Sequence, residues 1–229
     1  MPEADQPDAD LTRQAPMGDG QPGAGQTLGP PPTAADAAAW EALYQQGEDG
    51  WDLGNPSPPL QAAQAAGELP TGRRVLVPGC GRGHDLVYLA RRGYQVTGCD
   101  IAPSAIAAAG ERCRSLDRRV RLICGDALGD ELPVASFDWI FDQTFLCALF
   151  PDQRCRYPQQ MRRLLQSDGQ LWVLNVRTPH RDRQPYDLAP ALVIELLAEA
   201  GLQLLWQRPL TTESHPRRRG RERWLVFGR

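Results

Sequence analysis

The residues best suited to chemistry cluster at the ends of short apolar runs. Val75-Leu76-Val77-Pro78 is one such run, followed by three alternate glycines in Gly79-Cys80-Gly81-Arg82-Gly83-His84. Gly79 and Gly81 let a turn of backbone come close to a ligand, and Gly83 lets a helix start tightly behind them. An ordinary strand-to-helix turn would also use them. Asp100 follows Gly79 by 21 residues and ends the second run. A carboxylate there can accept from both hydroxyls of a ribose; it can also cap a helix. Asp126-Ala127 closes the third run. Asp126 could accept from the amino group of an adenine while Ala127 offers a backbone N–H, or Asp126 could fix its own loop as an Asx turn. Asp142-Gln143 ends the fourth. Upstream lie Trp40, Leu43, Tyr44 and Trp51. The first three also fit simple packing of a helix. Trp51, in a polar, proline-rich loop, suits the cover of a cationic ligand, because an aromatic face attracts positive charge.

These positions need a scaffold of alternating strands and helices. Helices are expected at Ala37–Gln46, from Pro58 to about Ala66, and at His84–Arg92, Ser104–Arg114, Tyr157–Leu165 and Pro190–Ala200. Strands are expected at Arg74–Val77, Gln95–Cys99, Val120–Cys124, Phe137–Phe141, Gln170–Val176, Leu202–Pro209 and Arg223–Phe227. Alternation of this kind predicts an α/β fold, a single Rossmann-like domain with a mostly parallel sheet covered on both faces. The last two strands have no helix between them, only the polar loop Thr211–Arg221, so they predict an antiparallel hairpin at one edge. That ending, with glycines spaced GxGxG rather than GxGxxG, separates the chain from a dinucleotide dehydrogenase. No GKS or GKT follows, which excludes a P-loop. Residues 37–229 are expected to form this domain. Residues 1–36 contain Pro30-Pro31-Pro32 and no aromatic residue, and are expected to be a disordered tail.

Composition narrows the function. A formal net charge of -3 argues against a general nucleic-acid binder. No apolar stretch of about 20 residues occurs, which argues against a membrane span, and no secretory signal is visible. The expectation is a cytoplasmic protein, acting as a monomer on a small molecule. Cys80, Cys99, Cys113, Cys124, Cys147 and Cys155 form no CxxC pair, and three histidines accompany them. Free thiols and no metal are expected.

Taken together, Trp40-Glu41-Ala42-Leu43-Tyr44, Gly50-Trp51-Asp52, Val77 to Asp85, Gly98-Cys99-Asp100 and Phe141 to Ala148 resemble the thiopurine, thiol and halide methyltransferases. These are class I enzymes that use S-adenosyl-L-methionine. The resemblance spans about Trp40 to Phe227. It implies that Trp40, Tyr44 and Trp51 cover the methyl donor and that Gly79, beside Gly81, meets its amino-acid end. It also implies that Asp100, with Ile101, holds the ribose and that Asp126 and Ala127 lie at the adenine. Gln143 falls where relatives carry arginine or tyrosine against the cofactor.

The chemistry so implied is in-line attack of a nucleophile on a methyl group attached to cationic sulfur, which leaves S-adenosyl-L-homocysteine. Positioning and exclusion of water can supply much of it without a metal. No residue pair reads as an obligatory general base, which suits an acceptor that is already anionic. A thiol or related sulfur compound is therefore expected, with halide also possible and a small-molecule O- or N-acceptor as the alternative. A protein that binds the donor without turnover is a further alternative. Trp51, Phe145, Cys147 and Tyr186 are the acceptor-side candidates, although Phe145 and Cys147 also suit packing. The loop Arg181 to Tyr186 is more charged than the glycine- and proline-rich segment of relatives. Arg217-Arg218-Arg219 with Arg221 makes a basic patch that suits either solvent exposure or attraction of an anionic substrate.

Overall fold

The computed structural model describes residues 34–116, 119–181 and 183–229. The strands are β1 (Arg74–Pro78), β2 (Gln95–Asp100), β3 (Val120–Cys124), β4 (Phe137–Gln143), β5 (Leu165–Val176), β6 (Gln203–Pro209) and β7 (Glu222–Gly228). The helices are α1 (Ala34–Gln46), α2 (Pro58–Ala65), α3 (His84–Arg91), α4 (Pro103–Cys113), α5 (Arg156–Leu164) and α6 (Pro190–Ala198). All seven strands form one sheet in the order β3-β2-β1-β4-β5-β7-β6. The pairs from β3 through β5 are parallel. β7 runs antiparallel between β5 and β6, so β6 is the edge.

The sheet is covered on both faces, as a parallel sheet must be. On one face Leu60 of α2 and Leu86 and Leu89 of α3 pack with Val75, Trp139, Phe141, Trp172 and Trp224. On the other, Tyr157, Met161 and Leu164 of α5 and Val193 and Leu197 of α6 pack with Leu76, Ile140, Leu171, Val173 and Phe227. The alternation along β4 sends Trp139 and Phe141 to the first layer and Ile140 to the second. The indoles of Trp139, Trp172 and Trp224 are fully buried and meet edge to face across the strands, with centroids 5.4–6.3 Å apart. Such pairs add about 0.5–1.5 kcal/mol each beyond their area burial.

Strand order reverses between β1 and β4. In an open α/β sheet the crevice beyond the carboxyl ends at that point receives ligands. The turn after β1 opens this crevice. Gly83 stands before α3 with φ +81°, and a Cβ on it would lie 2.9 Å from Cβ of Ala109. A glycine is therefore required for α3 to start against α4.

Several boundaries differ from expectation, most of them by one or two residues. Ser167-Asp168-Gly169 reads as a turn, yet β5 begins at Leu165, which pairs with Phe137 before the register shifts. β4 runs two residues past Phe141, to Gln143. The expected tail of residues 1–36 lies outside the described residues up to 33, and α1 begins at Ala34, so Asp36 stands in its first turn. The six cysteines are unbridged. Among the described residues no helix is long and apolar enough to cross a membrane, and no three His, Cys, Asp or Glu side chains converge as metal ligands would.

Candidate active site

A cavity of about 270 Å3 opens at the carboxyl edge of the sheet. Gly79, Cys99, Asp100, Ile101, Gly125, Asp126 and Ala127 line it from the ends of β1, β2 and β3. Gly79 has φ +59°, and a Cβ there would lie 2.8 Å from the Phe145 ring. Only glycine leaves this passage open.

Asp100 is 7% exposed. One of its carboxylate oxygens accepts the Gly81 N–H at 2.8 Å and the other the Ala102 N–H at 3.0 Å. Burial pushes its carboxyl above the ordinary value, against the pull of those two amides. The N-cap position of α4 is Ala102, so Asp100 braces the turn from outside the helix. Each oxygen has a second lone pair left for a ligand hydroxyl. Gly81 is absent from the cavity wall and contributes through this bond. Asp126 both lines the cavity and makes the Asx turn, accepting the Leu128 N–H at 2.8 Å. Arg156 stands 3.8 Å from it.

Trp40, Leu43 and Tyr44 of α1 and Trp51 of the following loop line the opposite wall. Trp51 meets Trp40 and Tyr44 edge to face at 5.3 and 5.6 Å, and its indole N–H donates to the Tyr44 hydroxyl at 3.3 Å. These aromatics line the cavity and also pack, since Tyr44 sits on Ala102 and Ala105. Glu41 ties α1 to α4 by accepting the Ser104 N–H at 2.8 Å and its hydroxyl at 2.5 Å. A cavity with a braced carboxylate on one wall and an aromatic box on another fits a ribonucleoside that carries a cationic group.

The remaining wall comes from the loops after β4 and β5: Thr144, Phe145, Ala148, Leu149, Phe150, Gln153, Arg183, Gln184 and Pro185. Asp142 organises the first of them. Its buried carboxylate accepts the Phe145 and Leu146 N–H groups at 3.0 and 3.1 Å and the Tyr157 hydroxyl at 2.7 Å. Burial pushes its carboxyl up to about 6. Thr144 within this turn has φ +65°, a conformation costly for a non-glycine residue and common beside ligands.

Of the acceptor-side candidates, Trp51 and Phe145 reach the cavity, whereas Cys147 and Tyr186 do not. Cys147 points into the core, its thiol directed at the Thr144 carbonyl, and burial pushes that thiol up to about 12. Tyr186 packs in the same core with the Arg154 guanidinium 4.4 Å from its ring centroid. Its neighbours Arg183, Gln184 and Pro185 face the cavity instead. Gln143 is also outside the lining, and its side-chain oxygen is buried without a hydrogen-bond partner. Sequence reasoning missed Asp36, Leu149, Phe150, Gln153 and Arg183. Asp36 accepts from the Gln153 amide at 3.4 Å, a pairing across 117 residues that no local pattern signals.

Comparison with known proteins agrees with this geometry. The thiopurine S-methyltransferase family profile matches residues 35–221. The chain is 33% identical over 172 residues to probable thiol methyltransferase 2 of Arabidopsis thaliana, covering 74% of this chain and 75% of that one. It is 32% identical over 190 residues to thiocyanate methyltransferase 1 of the same plant, covering 82% and 83%. Among solved structures, a Burkholderia thailandensis 1,6-didemethyltoxoflavin-N1-methyltransferase with bound S-adenosylhomocysteine superposes with a TM-score of 0.67 at 20% identity, covering 84% and 86%. That last likeness speaks for the fold alone. With the glycine turn, the braced aspartate and the aromatic wall in one crevice, and a family match over most of the domain, the chain belongs to the thiopurine S-methyltransferase family and is an S-adenosylmethionine-dependent methyltransferase.

Proposed function

We propose that this enzyme methylates small, soft, anionic sulfur nucleophiles such as thiolates or thiocyanate, and heavy halides more weakly. The observation that carries the reading is the loop wall of the cavity. Leu149, Phe150, Phe145 and Pro185 make it apolar, and Arg183 is the one basic residue among the described residues that line the cavity. Asp100 and Asp126 lie on the strand-end wall and Asp36 is engaged by Gln153, so the apolar loop wall beside Arg183 is where an anion that sheds water cheaply is favoured. The relatives named for thiol and thiocyanate point the same way.

In this reading Asp100 with Ile101 holds the donor's ribose, Asp126 and Ala127 meet its adenine, and Gly79 admits its amino-acid end. Bound S-adenosyl-L-methionine supplies a methyl group on a positively charged sulfur. Trp40, Tyr44 and Trp51 face that charge and exclude water. Arg183 draws the acceptor in, and Phe145 and Leu149 hold it in a dry approach path. No proton need leave an acceptor that arrives as an anion.

The test is S-adenosylhomocysteine release across thiols, hydrogen sulfide, thiocyanate, thiopurines and halides, with alcohols and amines as controls. Turnover confined to sulfur and halide anions is expected. Turnover confined to alcohols or amines would overturn the acceptor assignment and leave the enzyme class standing.

A further inference from the structure

The loop that carries Trp51 is held from two sides. From the glycine turn, Arg82 pairs with Asp49 at 2.6 Å and His84 lies 3.3 Å from Asp52. From the far end of the chain, Arg218 donates to the Trp51 carbonyl at 2.8 Å and Arg217 to the Asp52 carbonyl at 3.1 Å. These last contacts cross 167 and 165 residues. Arg218 is only 8% exposed and does not line the cavity. Its other terminal nitrogen faces Glu222, 3% exposed, at 3.6 Å. The short 3-10 turn Pro216–Arg218 is fixed in turn by His215, whose ring accepts the Arg217 N–H at 3.2 Å.

Burying a guanidinium is costly unless a carboxylate and directed hydrogen bonds compensate it. Here one terminal nitrogen donates to the backbone of Trp51, while the other forms an ion pair with Glu222 on β7 at 3.6 Å without a hydrogen bond. A basic cluster that the sequence leaves open between solvent exposure and attraction of an anionic substrate thus contains one residue turned inward.

We infer that Arg218 is a positioning residue for methyl transfer, fixing the Trp51 indole over the donor by holding its carbonyl. The inference rests on the reading of Trp51 as part of the donor cover. Arg218 touches neither reactant, so its loss loosens the cover and weakens donor binding.

The experiment compares the dissociation constant of S-adenosylhomocysteine by calorimetry in four proteins: wild type, Trp51→Ala, Arg218→Met/Glu222→Gln, and the combination. The paired substitution removes both buried charges and leaves neither alone. A loss of about tenfold is expected for Trp51→Ala and for the paired variant. Almost no further loss is expected in the combination, because both act through one indole. The KM for the donor should rise similarly in Trp51→Ala and in the paired variant. Additive losses, or unchanged affinity in the paired variant while Trp51→Ala weakens binding, would overturn the inference. Unchanged affinity in Trp51→Ala would instead remove the cover reading on which it rests. Should the paired variant fail to fold by circular dichroism, Arg218→Lys decides. Its single nitrogen cannot serve Glu222 and the Trp51 carbonyl together, so weaker donor binding is expected and wild-type affinity would refute the role.

Discussion

On the strand-end side of the cavity, the wall is backbone and short side chains at the tips of β1, β2 and β3: Gly79, Ile101, Gly125 and Ala127, with Asp100 braced by two amides. On the loop side, the wall is larger side chains from irregular segments, among them Phe145, Leu149, Phe150 and Arg183. The first side is fixed by sheet register, the second by a few local anchors such as Asp142 and the Gln184 amide, which donates to the Ala148 carbonyl at 2.5 Å. The contrast matches the chemistry. On the proposed reading, the methyl donor meets the wall fixed by the sheet and the acceptor meets the wall built from loops.

The contrast is open to measurement. The largest effect should come from Asp100→Ala, which removes the braced carboxylate and leaves the Gly81 and Ala102 amides without their acceptor. S-adenosylhomocysteine affinity should fall about a hundredfold by calorimetry, the scale of losing two hydrogen bonds to a charged group. Circular dichroism should show the sheet intact. Unchanged affinity would remove Asp100 from the donor site. Gly79→Ala should be nearly as damaging, because its Cβ strikes Phe145; about thirtyfold weaker donor binding is expected. A far smaller loss would mean that the loop side yields easily and that the two walls are not so different.

A smaller change is expected on the loop side. Arg183→Gln should raise the KM for thiocyanate or a thiolate about fivefold, the scale of one partly exposed charge contact. It should also flatten the dependence of kcat/KM on salt and leave donor affinity alone. Weaker donor binding in this variant would break the division between the walls.

The last effect is read in stability and not in binding. Burial raises Asp142 and Asp85 to about 6. A carboxyl raised on folding holds its proton more tightly in the folded chain, so it destabilises the fold as pH climbs from about 4 to about 6 and adds no further slope above that. Urea melts of Asp142→Asn should therefore lose less stability across that window than wild type, by at most about 3 kcal/mol. An identical slope would place the titration elsewhere.

The strand-end side was readable in the sequence because each of its residues follows a periodic apolar run: Asp100 after β2, and Asp126 and Ala127 after β3. Period and spacing carry direction there. On the loop side they do not. Cys147 and Tyr186 lie one residue away from Ala148 and Pro185, which line the cavity, and outside a regular element nothing in residue type says which neighbour faces inward. Asp36 was missed for another reason. Its alanine-rich surroundings read as the end of a polar tail, while alanine's helix propensity carries α1 back to Ala34. Arg218 shows the limit of composition, since four nearby arginines look alike until tertiary contacts single one out.

The knot at Asp142 also bears on how readily this protein could be given new acceptors. That carboxylate secures the amides of Phe145 and Leu146 and the hydroxyl of Tyr157, so side chains can be exchanged within this stretch where its backbone is not part of the knot. Leu149 and Phe150 meet that condition and present their side chains to the cavity. A combinatorial library confined to those two codons, and to apolar residues because Leu149 belongs to the core and Phe150 packs against it, would explore pocket shape.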